Sequence, residues 1–293
     1  MTVEITAEHL HRFDTLGYFV LPNVVPPTHL ELLRCASDKA VAARKRGATV
    51  GDEEGDQLMN TRGGRYFIFG LETKETALYG ALFGDWAMNI ITALTEESNM
   101  FHTEFVVKDR DHGDNRTRFG WHQDGGYNTA PNAGGAGVPR SPHISIWCAL
   151  DDMSAANGGL RVLPFDRNPT DQRVKYRIPP RPGAKAQPLF EHRRVTPDTE
   201  NVNNLSGDIG GYFGTDPGDQ IEIAAGGVVV FSALTLHGSG SNTTQTPRRA
   251  LNIAYTQLAF VDSPEPESIP TRGVPFIENG KLSATAVQLR SAF

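Results

Sequence analysis

This 293-residue sequence predicts an α+β fold that is mainly β, a sandwich or jelly roll flanked by helices. Short β-rich runs recur along the chain and are cut by Gly and Pro turns. Helical spacing of apolar residues is concentrated toward the amino end. Two imidazoles, His122 and His237, close apolar runs more than a hundred residues apart, which is how a β scaffold presents ligands to one ion.

The elements follow in order. Thr6 can cap a helix with Leu10, Phe13 and Leu16 at helical spacing, and Gly17 stops it. Tyr18-Phe19-Val20-Leu21 is a short strand closed by Pro22-Asn23. A second amphipathic helix runs from Thr28 to about Arg46, ended by Gly47. Residues 47 to 64 are polar and glycine-rich, a loop leading through Arg62-Gly63-Gly64-Arg65 into the strand Tyr66-Phe67-Ile68-Phe69. Leu78, Leu82, Trp86, Ile90 and Leu94 predict one helix over Ala77 to Leu94. Phe101 to Lys108 reads as a strand, Asp109 to Asp114 as a charged loop, and Pro131 to Gly137 as a flexible loop. His143 to Leu150 is a strand, and Asn157-Gly158-Gly159 turns the chain into Leu160-Arg161-Val162-Leu163-Pro164. Gly226 through Leu236 and then Ala250 to Tyr255 form the last β pair; beyond Pro264 no element is predicted. The whole of 1–293 reads as one domain with its front helices inside 6–46.

Residues 161–195 stand out by charge, with nine Lys or Arg against Asp166, Asp171 and Glu191. Together with Pro179-Pro180 and Pro182 they read as a long excursion of the kind that forms active-site lids. Such a lid points to an anionic ligand, a carboxylate, phosphate or CoA ester; a small amino acid derivative or natural-product intermediate fits equally well.

Composition narrows the function. The content is 39% hydrophobic and 21% charged, which fits a packed core and not a disordered chain. A net charge of −6 argues against a general nucleic-acid or anionic-membrane binder. No basic leader with an apolar core and no run of about 18 apolar residues is visible, so neither export nor membrane insertion is expected. Cys35 and Cys148 lack CxxC spacing, which excludes a disulfide framework and a thiolate zinc site and fits a cytoplasmic compartment.

The chemistry centres on Phe119-Gly120-Trp121-His122-Gln123-Asp124. In extended backbone, residues i and i+2 share a face, so His122 and Asp124 can take two adjacent corners of one metal and leave Gln123 pointing away. His237 supplies a third corner, completing the two-imidazole, one-carboxylate set of non-haem Fe(II) oxygenases. A rival pair, His112-Gly113-Asp114, sits in a run of charges with nothing apolar to fix it, whereas His122 has Phe119, Trp121 and Tyr127 around it. His9, His11, His29 and His192 read as surface residues. Arg248 and Arg249 follow His237 by 11 and 12 residues, and a hairpin would return one of them to the metal, where its planar fork suits a carboxylate.

These motifs resemble the phytanoyl-CoA dioxygenase family of Fe(II)- and 2-oxoglutarate-dependent oxygenases. The resemblance runs from Phe13-Asp14-Thr15-Leu16-Gly17-Tyr18 through Trp121-His122-Gln123-Asp124 and Ile144 to Asp152 to His237-Gly238-Ser239-Gly240 and Arg248. It implies a double-stranded β-helix in which His122, Asp124 and His237 bind iron. It further implies that Arg248, helped by the Ser239 hydroxyl, holds the remote carboxylate of 2-oxoglutarate, with Trp147 lining that pocket and Gln123 near bound ligands. The implied reaction oxidises a small-molecule C–H bond with O2 and releases succinate and CO2. A carboxylate at 124, where halogenating relatives have a small residue, implies hydroxylation, desaturation or a related oxidation. The glycine-rich insertion after Tyr127 and the basic stretch after Leu163 depart from the family where specificity is set, so the namesake acyl-CoA substrate does not carry over. A jelly-roll metalloenzyme of another class and a non-catalytic binding protein of the same fold are the rival readings; the first has no use for Arg248, and the second predicts a damaged ligand set.

Overall fold

The structure is a computed structural model and describes residues 3–46, 58–62, 64–124, 143–200, 208–256 and 273–291. Helix α1 (Ala7–Leu16) begins where the Thr6 hydroxyl accepts from the His9 N–H and ends at Gly17, whose φ of 86° only glycine adopts freely. A Cβ there would also lie 2.5 Å from the Thr235 hydroxyl, so the turn fits against the later turn that leads to His237. Helix α2 (Pro27–Lys45) starts on a proline at its first position. Its predicted stop, Gly47, lies outside the described residues.

The single helix expected over Ala77 to Leu94 is broken. After the short α3 (Leu71–Lys74), a helical turn at Thr76–Leu78 runs into α4 (Tyr79–Leu82), and α5 (Asp85–Leu94) restarts at a 53° bend. Gly84 takes extended backbone, and the Trp86 indole folds back over it to donate to the Ala81 carbonyl at 3.1 Å. A Cβ at Gly84 would meet that indole at 2.8 Å, so glycine and tryptophan together override the helical periodicity. No single helix among the described residues is long and apolar enough to cross a membrane.

The strands are β1 (Tyr18–Leu21), β2 (Leu58–Arg62), β3 (Arg65–Phe69), β4 (Ser98–Lys108), β5 (Phe119–His122), β6 (His143–Ala149), β7 (Leu160–Leu163), β8 (Val174–Ile178) and β9 (Gln187–Phe190). There follow β10 (Arg193–Arg194), β11 (Ile209–Gly210), β12 (Asp219–Gln220), β13 (Val228–Ser232), β14 (Leu236–Ser239), β15 (Arg248–Thr256), β16 (Val274–Glu278) and β17 (Lys281–Leu282). The carboxyl end, unread in the sequence, supplies β16, β17 and helix α6 (Ala284–Ser291).

A major antiparallel sheet runs β1-β13-β6-β15-β4-β16-β17, with β3 and β2 continuing from β4, and a minor sheet runs β12-β7-β14-β5. This is the mainly β jelly roll that the sequence predicts. Alternation along the strands divides the two sides. On the outer face Ile146, Cys148, Val230, Leu251 and Ile253 bury against Leu33, Trp86 and Ile90 of the helices. The inner face packs Trp147, Ala149, Val229 and Ala250 against Leu160 and Val162 of the minor sheet.

One connection differs from expectation and builds the site. The run from Gly226 to Leu236 is not one strand: after Ser232 a turn, closed by the Thr235 N–H on the Ser232 carbonyl and by the Thr235 hydroxyl on the Gly17 carbonyl, hands the chain to the minor sheet. His237 therefore lies in β14 and Arg248 in β15 of the opposite sheet, so the two are joined across the sandwich and not by a hairpin.

Candidate active site

The minor sheet aligns β14 against β5 so that His237 lies directly opposite His122, with ring centroids 4.1 Å apart. Each ring is oriented from behind: His122 Nδ1 lies 2.9 Å from the Gly120 carbonyl and His237 Nδ1 3.0 Å from the Thr235 carbonyl. That fixes the proton on Nδ1 and leaves both Nε2 lone pairs to a metal. Asp124, just beyond β5, puts Oδ1 at 3.4 Å from each Nε2. Its Oδ2 accepts from Ser145 at 3.3 Å and lies 3.9 Å from His143 Nε2. The donor atoms of His122, Asp124 and His237 lie within 4.8 Å of one another, so the three can hold one ion. Burial alone would raise the Asp124 pKa, but His237 and the other imidazoles around the carboxylate hold it well below the usual range. Burial, with His237 next to it, lowers the His122 pKa; at His237, burial works downward and the Asp124 charge outweighs it, raising the pKa. The Phe119 ring meets His122 edge-on at 4.5 Å. The rival His112 is exposed, and Asp114 pairs instead with Arg116.

Two buried cations lie on the sheet facing the triad. Arg248 is 1% exposed, its guanidinium centre 5.4 Å from the Trp147 ring. Nη2 donates to the Gly158 carbonyl at 2.9 Å, while Nε and Nη1 are buried without a partner among the described residues. Register sets Arg248 opposite Lys108 of β4, whose ammonium donates to the Ser239 hydroxyl at 2.7 Å and to the Gly240 carbonyl at 2.6 Å. Burial, then Arg248 and Arg65, push the Lys108 pKa far down, and burial lowers that of Arg248 to about 10. Two buried cations side by side, one with unused donors, are unfavourable until an anion joins them. Lys108 was not singled out in the sequence, because only the strand pairing brings it to Arg248. Arg249 is committed elsewhere: its guanidinium binds Asp151 and Asp38.

The Gln123 amide is engaged within the protein. Its Nε2 donates to the Pro188 and Leu234 carbonyls at 2.8 and 2.5 Å, and its Oε1 accepts from the Phe190 N–H at 2.8 Å. The amide thus clamps β9 and the 232–236 turn onto the end of β5 that carries His122. His192, read as a surface residue, is 1% exposed. Its Nε2 accepts the Gln123 N–H at 2.9 Å while Nδ1 faces the Phe190 carbonyl at 3.0 Å. Burial lowers its pKa to about 4 from an ordinary 6.5. The unfolded chain therefore takes up this proton first as pH falls, so the contribution of His192 is complete above pH 6.5 and is lost on the way to pH 4. The loss amounts to about 3 kcal/mol. Urea midpoints at pH 7 and pH 4.5 should drop further for the native chain than for His192→Gln; equal drops would refute the assignment.

Part of the basic excursion is paired within the molecule. Arg167 binds Asp216 and Asp219, Arg173 binds Glu191, Arg181 binds Asp14 of α1, and Arg193 stacks over Phe213. The glycine-rich insertion and Tyr127 lie outside the described residues.

A His-Asp-His triad that could hold one ion, with a buried guanidinium on the facing sheet, suits a metal-chelating keto-diacid, and the chain is a 2-oxoglutarate-dependent dioxygenase. Within that class it belongs to the phytanoyl-CoA dioxygenase family, whose model matches residues 13–250. It is similar to an ectoine dioxygenase of Stutzerimonas stutzeri (strain A1501), 24% identical over 264 residues, covering 87% of this chain and 78% of that protein. Its fold is shared with EvdO2 from Micromonospora carbonacea var. aurantiaca, solved with 2-oxoglutarate, at TM-score 0.57 and 24% identity over 91% of this chain and 97% of that one. EctD from S. alaskensis, solved with 2-oxoglutarate and 5-hydroxyectoine, matches at TM-score 0.57 and 19% identity over 92% and 85%.

Proposed function

We propose that this enzyme hydroxylates an unactivated C–H bond of a small-molecule substrate, with His122, Asp124 and His237 holding Fe(II) and Arg248, Lys108 and Ser239 holding the remote carboxylate of 2-oxoglutarate. The observation that carries the reading is the buried Arg248 guanidinium, with two unpartnered nitrogens, in a sandwich whose other sheet holds a His-Asp-His triad. The donor set fits the metal: two imidazoles and one carboxylate are the ligand types that would hold a ferrous ion while leaving room for other ligands. When bound, the ferrous ion supplies O2 activation coupled to oxidative decarboxylation of the keto-diacid to succinate and CO2.

The residues of the chain bind, orient and exclude water. The Gly120 and Thr235 carbonyls fix the two imidazole tautomers. Ser145 steadies the second oxygen of Asp124 and so leaves the first for the ion. Arg248 offers its free donors to one end of the co-substrate, and the Trp147 face walls the pocket beside it. Phe119 shields His122 from solvent. An enzyme of another class with the same triad would leave the Arg248 donors unexplained.

The test is succinate release over a panel of small molecules, with the product identified by mass. A product 16 Da heavier than its substrate, formed one for one with succinate, is expected for insertion of one oxygen atom. Loss of two hydrogens with no added oxygen would replace hydroxylation by desaturation.

A further inference from the structure

The inner face of the major sheet carries a polar pair that neither the triad nor the pair of buried cations uses. Register sets Phe69 of β3 opposite Glu104 of β4, Glu104 opposite Asn252 of β15, and Asn252 opposite Trp147 of β6. Along β15 the Arg248 and Lys108 pair lies toward one end of this row. Toward the other end lies Ala254, opposite Ser145, which bonds Asp124. Glu104 and Asn252 thus sit between the Arg248 and Lys108 pair and the strand position whose Ser145 bonds Asp124.

Both side chains have unused acceptors. Asn252 is 7% exposed; its Nδ2 donates to Glu104 Oε1 at 3.3 Å, and among the described residues its buried Oδ1 has no partner. His102 Nε2 lies 3.6 Å from the same Oε1, and among the described residues no donor reaches Glu104 Oε2. A buried amide oxygen without a donor costs on the order of 1–3 kcal/mol, so such an atom on the inner face of the sandwich calls for a donor from a ligand. The wall beside the pair is aromatic: Phe69 packs on His102 at 5.5 Å, Phe67 on Phe119 at 5.6 Å, and Phe119 on His122. Phe67 and Phe69 are partly exposed. Aromatic faces and a carboxylate suit a cation with a carbon skeleton. The anionic ligand expected from the basic excursion finds less support, since several of those arginines already have acidic partners.

The geometry points to an amine substrate: a protonated nitrogen donates to Glu104 Oε2 and Asn252 Oδ1 while its carbon chain lies along Phe67, Phe69 and Phe119 toward the triad. This rests on the oxygenase reading of the same inner face and names its substrate class. The test uses the full metal-free chain, titrated calorimetrically with butylammonium and with butanol, its neutral isostere. Butylammonium should bind about tenfold tighter or better, as a charge-assisted hydrogen bond requires. Glu104→Gln, which keeps the acceptor for Asn252, should abolish that preference, and Glu104→Asp should retain part of it. Absence of butylammonium binding, equal binding of the alcohol, or a preference that survives in Glu104→Gln would overturn the inference. Because no iron or 2-oxoglutarate enters the titration, such a failure leaves the oxygenase reading standing, whereas loss of that reading would appear in iron and co-substrate binding.

Discussion

Asp124→Ala should weaken Fe(II) binding by at least about a hundredfold and abolish succinate release. Loss of a partner outside the coordination shell already costs about 10–100-fold in metal affinity, and Asp124 is a ligand in the proposed shell, its only anion. Without it, two neutral imidazoles 4.1 Å apart face a dication with nothing to offset its charge. Asp124→Asn separates charge from packing, since an amide oxygen can still accept from Ser145. Anaerobic calorimetric titration with Fe(II) should show both variants defective and equally folded. An Asp124→Asn variant with native iron affinity would mean that the ion is held elsewhere.

Arg248→Ala should raise the 2-oxoglutarate concentration for half-saturation by about thirtyfold to a thousandfold, with little change in iron affinity. Removing one member of a buried, hydrogen-bonded charge pair costs about 2–4 kcal/mol. The same position should behave oppositely in the empty enzyme. Arg248→Met removes a desolvated cation that repels Lys108, so the ligand-free chain should melt at the same or a higher temperature. A site that is strained until its ligand arrives gives this reversal, and stability is then exchanged for binding. Arg249→Ala is the control: it leaves the 2-oxoglutarate requirement unchanged and lowers stability, because its partners are Asp151 and Asp38. A raised requirement in Arg249→Ala with none in Arg248→Ala would reverse the two roles.

Local features were legible in the sequence. The Thr6 cap, the Gly17 stop and the same-face placement of His122 and Asp124 depend on neighbours a few residues apart. The break at Gly84 was not, because an indole folding back onto its own helix start defeats a periodicity count. Composition around His192 resembles that of a surface loop, and only the packing of β9 under β5 makes it a buried clamp. Lys108, Glu104 and Asn252 share one reason for escaping notice: each sits in an ordinary strand pattern, and its meaning comes from which strand lies next to it. The hairpin expected between His237 and Arg248 is absent, because the chain crosses between the two sheets there, a route that local sequence does not reveal.

The most direct measurement is a crystal structure of the protein grown without oxygen in the presence of Fe(II) and 2-oxoglutarate. One ion should be bound by Nε2 of His122, Nε2 of His237 and a carboxylate oxygen of Asp124, with the far carboxylate of the keto-diacid on Arg248 and Lys108. Iron bound without either imidazole, or 2-oxoglutarate seated away from Arg248, would contradict the account.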